Sequence, residues 1–206
     1  MALIALATED ELSEEIGQRL AEDAGLEVGQ RLRRDGSGYL RSRVANFCEM
    51  ARFQPVVVIA DLDRAPCPAT LVAEWFRARQ RSADLLVRIA VREIESWLLA
   101  DRQAMGELLG RGVRALPTTP DRLGDPKATL MRLASRAPRG VRQDLLVTRG
   151  AIASQGLGYS SRLCAVVRTT WDPGRAALQS PSLRRTRQRL EELSQRLARR
   201  ADRGTM

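Results

Sequence analysis

Two aspartates one residue apart, Asp61 and Asp63, close the unbroken apolar run Pro55-Val56-Val57-Val58-Ile59-Ala60. A run of β-branched residues reads as a buried parallel strand. Both acids are then delivered at its carboxyl end, the edge at which open α/β sheets do their chemistry. Side chains alternate along a strand, so acids at i and i+2 point the same way. Close like charges raise each other's proton affinity unless a cation lies between them. A hard ion such as Mg²⁺ accepts one or two carboxylates together with substrate phosphates. The plain alternative is that the pair opens a turn and caps the next helix.

Acids stand at two further strand ends. Ala2 to Ala7 reads as a first buried strand with Glu9 just beyond it, and Leu85 to Val91 as another with Glu93 just beyond it. Glu95 follows two residues later, roughly 200° around a helix, so it does not share a ligand position with Glu93. The sole lysine, Lys127, follows Asp125-Pro126, a helix start with Asp125 as N-cap and Pro126 in the first turn. A cation there is disfavoured by the helix dipole, and a residue set against a local rule invites a functional reading.

The elements that position these residues follow in chain order. Thr8 with Glu11 has the spacing of a capping box ahead of Leu12, Ile16 and Leu20, and Gly25 ends that helix. Leu26 to Arg34 alternates as a second strand at a sheet edge, followed by a Gly36-Ser37-Gly38 turn and a helix over 39–52 carrying Leu40, Val44, Phe47 and Ala51. A helix over 69–80 separates Asp63 from the Leu85 strand. Trp97 and Leu98 are expected in the core. The strand signal fades after Arg111. Helices are expected over 159–171 and, capped by Ser180-Pro181, over 182–200 with Leu183, Leu190, Leu193 and Leu197 on one face. The pattern predicts an α/β fold, a mostly parallel sheet flanked by helices, with residues 1–110 as its core and 111–206 as a helical C-terminal extension.

Composition narrows the chemistry. The 206 residues contain no histidine, which excludes Ser-His-Asp and Cys-His triads and His-based zinc catalysis. Cys48, Cys67 and Cys164 match neither a disulfide framework nor a zinc site, and are expected to be reduced and mostly buried. The formal charge of +9, from 34 basic and 25 acidic residues, favours polyanions. All the basic residues but Lys127 are arginine, however, a skew that codon bias also produces. No apolar run approaches the ~20 residues of a membrane helix, and no charged region or cleavage pattern follows Met1, so a cytoplasmic location without membrane contact is expected.

Glu9 after the first strand and Asp61-Leu62-Asp63 after the third resemble the pattern of the Toprim fold, shared by topoisomerases, primases and the overcoming-lysogenization-defect nucleases. The segment Arg92-Glu93-Ile94-Glu95-Ser96-Trp97-Leu98-Leu99-Ala100-Asp101 with Asp125-Pro126-Lys127 is similar to bacterial Toprim-like proteins, some encoded beside ATPases. The resemblance covers about residues 1–130. It implies Mg²⁺- or Mn²⁺-dependent cleavage of nucleic acid, DNA ahead of RNA, in a phage-defence or DNA-processing system. Glu9, Asp61, Asp63 and Glu93 are the implied metal ligands, and Lys127 the group that stabilises charge. An ATPase subunit and a second copy of the chain are further candidate partners. The usual pattern has glycine directly after the first glutamate and often an acid four residues after it. Asp10 and Ser13 stand there instead, which bears on a second metal. Two alternatives stay open: a non-catalytic partner of an ATPase, and a metal-dependent phosphatase, although dehalogenase-type phosphatases carry Asp-x-Asp on their first strand.

Overall fold

The computed structural model of the protein describes residues 1–33, 38–77, 79–110, 115–147 and 155–204. The chain forms two compact units, one of residues 1–89 with 184–206 and one of residues 90–183. The expected division after residue 110 is thus displaced to Ala90 and Arg184. Its reason is burial: the helix beginning at Glu95 is buried along its length, so it belongs with the helices that enclose it. Among the described residues no helix is long and apolar enough to cross a membrane.

The first unit holds a four-stranded, all-parallel sheet in the order β2-β1-β3-β4, in agreement with the α/β expectation. Its strands are β1 (Ala2–Thr8), β2 (Leu26–Arg33), β3 (Val56–Asp61) and β4 (Leu85–Ala90). β1 and β3 are central, and both are buried almost throughout, as unbroken apolar runs require. β2 is an edge strand, and its register with β1 skips Gly29, passing from Ile4 opposite Val28 to Ala5 opposite Gln30. A Cβ at Gly29 would stand 3.0 Å from the Leu3 side chain, so a bulge at the one residue lacking it avoids the crowding. Arg34, Gly36 and Ser37, expected at the end of this strand and in its turn, lie outside the described residues.

Helix α1 (Glu11–Asp23) packs against β1, β2 and β3. Its N-cap is Asp10 and not the expected Thr8: Asp10 Oδ1 accepts from the Ser13 backbone N–H at 2.7 Å. Thr8 is still strand, fully buried, so its hydroxyl is two residues too early to cap. Gly25 stops the helix in the left-handed region at φ +74°, as expected. The helix expected over 39–52 is broken at Arg43 into α2 (Tyr39–Ser42) and α3 (Val44–Met50), with Leu40, Val44, Phe47 and Ala51 all buried. Helix α4 (Pro68–Phe76) is shorter than expected and buries only Phe76 of its apolar stripe. All three cysteines are free, but only Cys164 is buried, so the expectation of burial fails for Cys48 and Cys67.

The second unit is helical, with α5 (Glu95–Ala100), α6 (Arg102–Leu109), a 3-10 turn (Pro120–Arg122), α7 (Pro126–Ala134), α8 (Arg139–Leu145), α9 (Tyr159–Thr169) and α10 (Pro173–Ala177). α5 is its axis: Trp97, Leu98 and Leu99 are fully buried, and α6, α7 and α10 pack around them. Asp101, buried at the end of α5, caps α6, accepts from the Asp172 N–H at 2.8 Å and takes a two-pronged bond from Arg175. The last helix, α11 (Pro181–Gly204), starts in this unit, where Ser180 Oγ accepts from the Leu183 N–H at 3.2 Å, as its N-cap should. From Arg184 onward α11 belongs to the first unit. There Arg187 pairs with Asp23 at 2.9 Å, while Arg196 and Arg200 both reach Asp84. Part of the arginine excess is therefore structural.

Candidate functional site

With the strand order β2-β1-β3-β4, the chain leaves β1 outward to β2, returns to β3 on the other side of β1, and leaves outward again to β4. The connections that follow β1 and β3 therefore diverge, and a crevice opens between the carboxyl ends of those two strands, the place where α/β sheets bind ligands. Glu9 is the first residue past β1, Asp61 the last of β3, and Asp63 lies two residues beyond. β1 pairs with β3 from Ala5 opposite Val56 to Ala7 opposite Val58, so the two acid-bearing ends are neighbours.

Local packing leaves Asp63 exposed, while Asp61 is half-buried with its Oδ1 sealed from solvent. Leu62, between the aspartates, is 2% exposed and acts as the inward anchor of the turn that Ala65 N–H closes onto Leu62 O at 3.0 Å. Asp63 sits on that turn in the left-handed region, φ +48°. A non-glycine residue there costs on the order of 1 kcal/mol and persists where the surroundings impose it, often at functional sites. Arg92, directly before Glu93 after β4, is a second such residue at φ +65°. Two strand ends with acids thus carry left-handed residues beside them.

Glu9 is half-buried, and its carboxyl is pushed up from 4.5 to about 7, first by burial, then by the negative charge of Asp63 and then by that of Asp10. The structure therefore brings Glu9 and Asp63 within mutual electrostatic reach. Among the described residues no group of three or more Asp, Glu, Cys or His side chains is gathered to hold a metal ion. The departures at Asp10 and Ser13 have a structural account, since they are the two halves of the α1 cap.

Comparison with protein-family models, with curated proteins and with solved structures gives no match. The chemistry of the site rests on its own geometry.

The two remaining expected site residues, Glu93 and Lys127, lie in the second unit and meet there. Glu93 Oε2 accepts from the Lys127 backbone N–H at 2.8 Å, satisfying one open donor of the first turn of α7 beside the Asp125 cap. Glu95 goes elsewhere, as its phase relative to Glu93 required: it is 4% exposed and accepts from the Tyr159 hydroxyl at 2.7 Å. Burial raises the Glu95 carboxyl to about 7, against the lowering influence of Tyr159 and of Lys127. The Lys127 ammonium stands over the Tyr159 ring, 5.0 Å from its centroid. Sequence reasoning missed Tyr159 altogether. The only signal was its place as the first residue of a helix, and nothing local pointed to a glutamate 64 positions earlier.

Proposed function

We propose that the chain is a Toprim-like, Mg²⁺- or Mn²⁺-dependent phosphodiesterase acting on nucleic acid, DNA ahead of RNA. The observation that carries this reading is the coupled pair Glu9 and Asp63 at the switch point of a parallel sheet, with Asp61 on the same strand end. A carboxyl held near 7 by burial and a neighbouring acid marks a place where positive charge is wanted. Two carboxylates at the rim fit an ion that takes one or two protein ligands and leaves its other positions to water and substrate phosphate. They do not amount to a closed cage. Glu9 and Asp63 would hold the ion, with Asp61 on the same strand end, and the ion when bound would supply Lewis acidity toward a phosphoryl oxygen. Glu9 gives up its proton as a cation enters, so uptake near pH 7 releases protons. The positive charge of the chain draws a phosphate backbone toward it.

A second reading has one observation in its favour, the lack of a three-acid group among the described residues. In it the chain keeps the rim without turnover and serves as partner to an ATPase. Incubating purified protein with single- and double-stranded DNA and with RNA, with Mg²⁺ or Mn²⁺, separates the two. Cleavage that disappears in Asp61→Ala and Asp63→Ala is expected. Cleavage untouched by Asp61→Ala defeats the site, and turnover of a small phosphomonoester in place of nucleic acid selects a phosphatase. Silence toward every substrate selects the partner reading.

A further inference from the structure

The arginines of α11 divide into those the fold uses and those it does not. Arg187, Arg196 and Arg200 pair with Asp23 and Asp84, and Arg189 pairs with Glu192 at 2.6 Å along the helix itself. Arg185, exposed on the same helix, makes no hydrogen bond or ion pair among the described residues. Arg88 of the edge strand β4 reaches this stretch: its Nε donates to the Thr186 hydroxyl at 3.3 Å, and Thr186 is fully buried. Arg185 directly precedes that threonine and Arg189 follows it by one turn, and residues four apart share one side of a helix. Arg88, Arg185 and Arg189 therefore gather about one place, with Glu192 as their carboxylate neighbour. Burial lowers the Arg88 guanidinium from its ordinary value, and the charges of Arg189 and Arg185 lower it further. Like charges so placed disfavour the folded chain. Among the described residues the bond from Nε is the only one Arg88 makes, so the terminal N–H donors of this half-buried side chain have no protein acceptor.

We infer that Arg88, Arg185 and Arg189 form a phosphate-binding site for the backbone of nucleic acid, separate from the acid rim. Guanidinium groups present paired donors that match phosphate oxygens. All three belong to the first unit, as do Glu9, Asp61 and Asp63. β4 lies next to β3 and starts level with it, since the Val56 N–H donates to Asp84 O at 2.8 Å. In a parallel pair the Cα of Arg88 then stands within two residues of the level of Asp61, about 7 Å or less along the strands and about 5 Å across. A single strand of nucleic acid held at the arginines extends to the rim within one unit. That the phosphate belongs to nucleic acid rests on the phosphodiesterase reading; the arginine site does not.

Fluorescence anisotropy of labelled single-stranded DNA with the full chain, in EDTA so that nothing is cleaved, tests the site. At about 0.15 M salt, Arg88→Gln and Arg185→Gln are each expected to raise Kd about 10-fold, as loss of a charged hydrogen-bond donor does. Each should also reduce the slope of log K against log[salt] by about 0.7. Arg199→Gln removes the same charge about 20 Å further along α11, beyond the ~8 Å screening length, and should leave Kd within about 2-fold. Thermal melts add a readout that a structural role would move the other way: Arg185→Gln relieves repulsion, so its Tm equals or exceeds that of the unaltered protein while its binding falls. Should Arg88→Gln fail to fold, the exposed Arg185→Gln decides alone. Kd unchanged in Arg185→Gln, Kd raised equally in Arg199→Gln, or no DNA binding by the unaltered chain overturns the inference. Tripolyphosphate separates the two sources of phosphate: if Arg185→Gln loses that ion and keeps DNA, the site serves a small phosphate compound and the nucleic-acid assignment falls. Arg185-dependent DNA binding by a chain that cleaves nothing retains the site and removes the phosphodiesterase reading. Cleavage with binding indifferent to both arginines does the reverse.

Discussion

Replacing Glu9 by glutamine gives the sharpest test of the charge at the rim. The fold raises this carboxyl from 4.5 to about 7, so the native state binds the proton more tightly than the unfolded chain. The stability associated with that proton is fully present below about pH 4.5 and is lost as pH rises through 7. In a dry site such a shift corresponds to about 3 kcal/mol. Glu9 is only half-buried, and solvent screening reduces the figure to about 1–2 kcal/mol. Glutamine is neutral throughout, so Glu9→Gln should match the unaltered protein at pH 4 and exceed it by that amount at pH 8. For a chain of this length the gain at pH 8 is a rise of about 2–8 °C in Tm. Thermal melts at the two pH values measure it directly. Mg²⁺ supplies the second arm. If Glu9 and Asp63 share an ion, saturating Mg²⁺ at about 100 times its Kd stabilises the unaltered protein at pH 8 by about 2.7 kcal/mol. Glu9→Gln loses most of that response. Equal gains at pH 4 and pH 8 would refute the electrostatic account of the rim, and an undiminished Mg²⁺ response in the variant would remove Glu9 from the ion's ligands.

Other consequences concern the scaffold. Asp10→Ala deprives the Ser13 N–H of its acceptor and removes the α1 cap, which should cost about 1 kcal/mol in urea denaturation; a loss below ~0.3 kcal/mol would return the cap to some other residue. Asp101→Ala leaves the Arg175 guanidinium, the Asp172 N–H and the α6 N-terminus without their shared carboxylate, and should cost about 3–5 kcal/mol. Native-like stability in that variant would show the network to be dispensable. Gly17→Ala drives a Cβ to 2.9 Å from the Leu6 side chain where α1 crosses β1, an overpacking worth about 1–3 kcal/mol. A Tm unchanged by that substitution would mean the helix rides higher on the sheet.

The apolar runs at Ala2–Ala7 and Val56–Ala60 determined the buried parallel strands, because a segment covered on both faces has no polar side to show. Their lengths also fixed where the acids fall, so Glu9, Asp61 and Asp63 were legible as strand-end residues. Gly29 announced a weak edge strand for a local reason, the room a missing side chain leaves. What sequence could not state is which strands are neighbours. The order β2-β1-β3-β4, which sets Glu9 beside Asp63, depends on how helices pack between strands far apart in the chain. The same holds for Asp10 displacing Thr8 as the cap: Thr8 is held in the strand by its pairing with β2, and the cap falls two residues later. Glu95 and Tyr159 mark the clearest limit. A glutamate in a helical segment is written in the same letters whether it faces water or sits sealed against a tyrosine hydroxyl, and only the enclosure of α5 by later helices chose the second. Chain pattern specifies what a residue's own neighbours can do; dielectric, partner and proton affinity come from segments that meet in space.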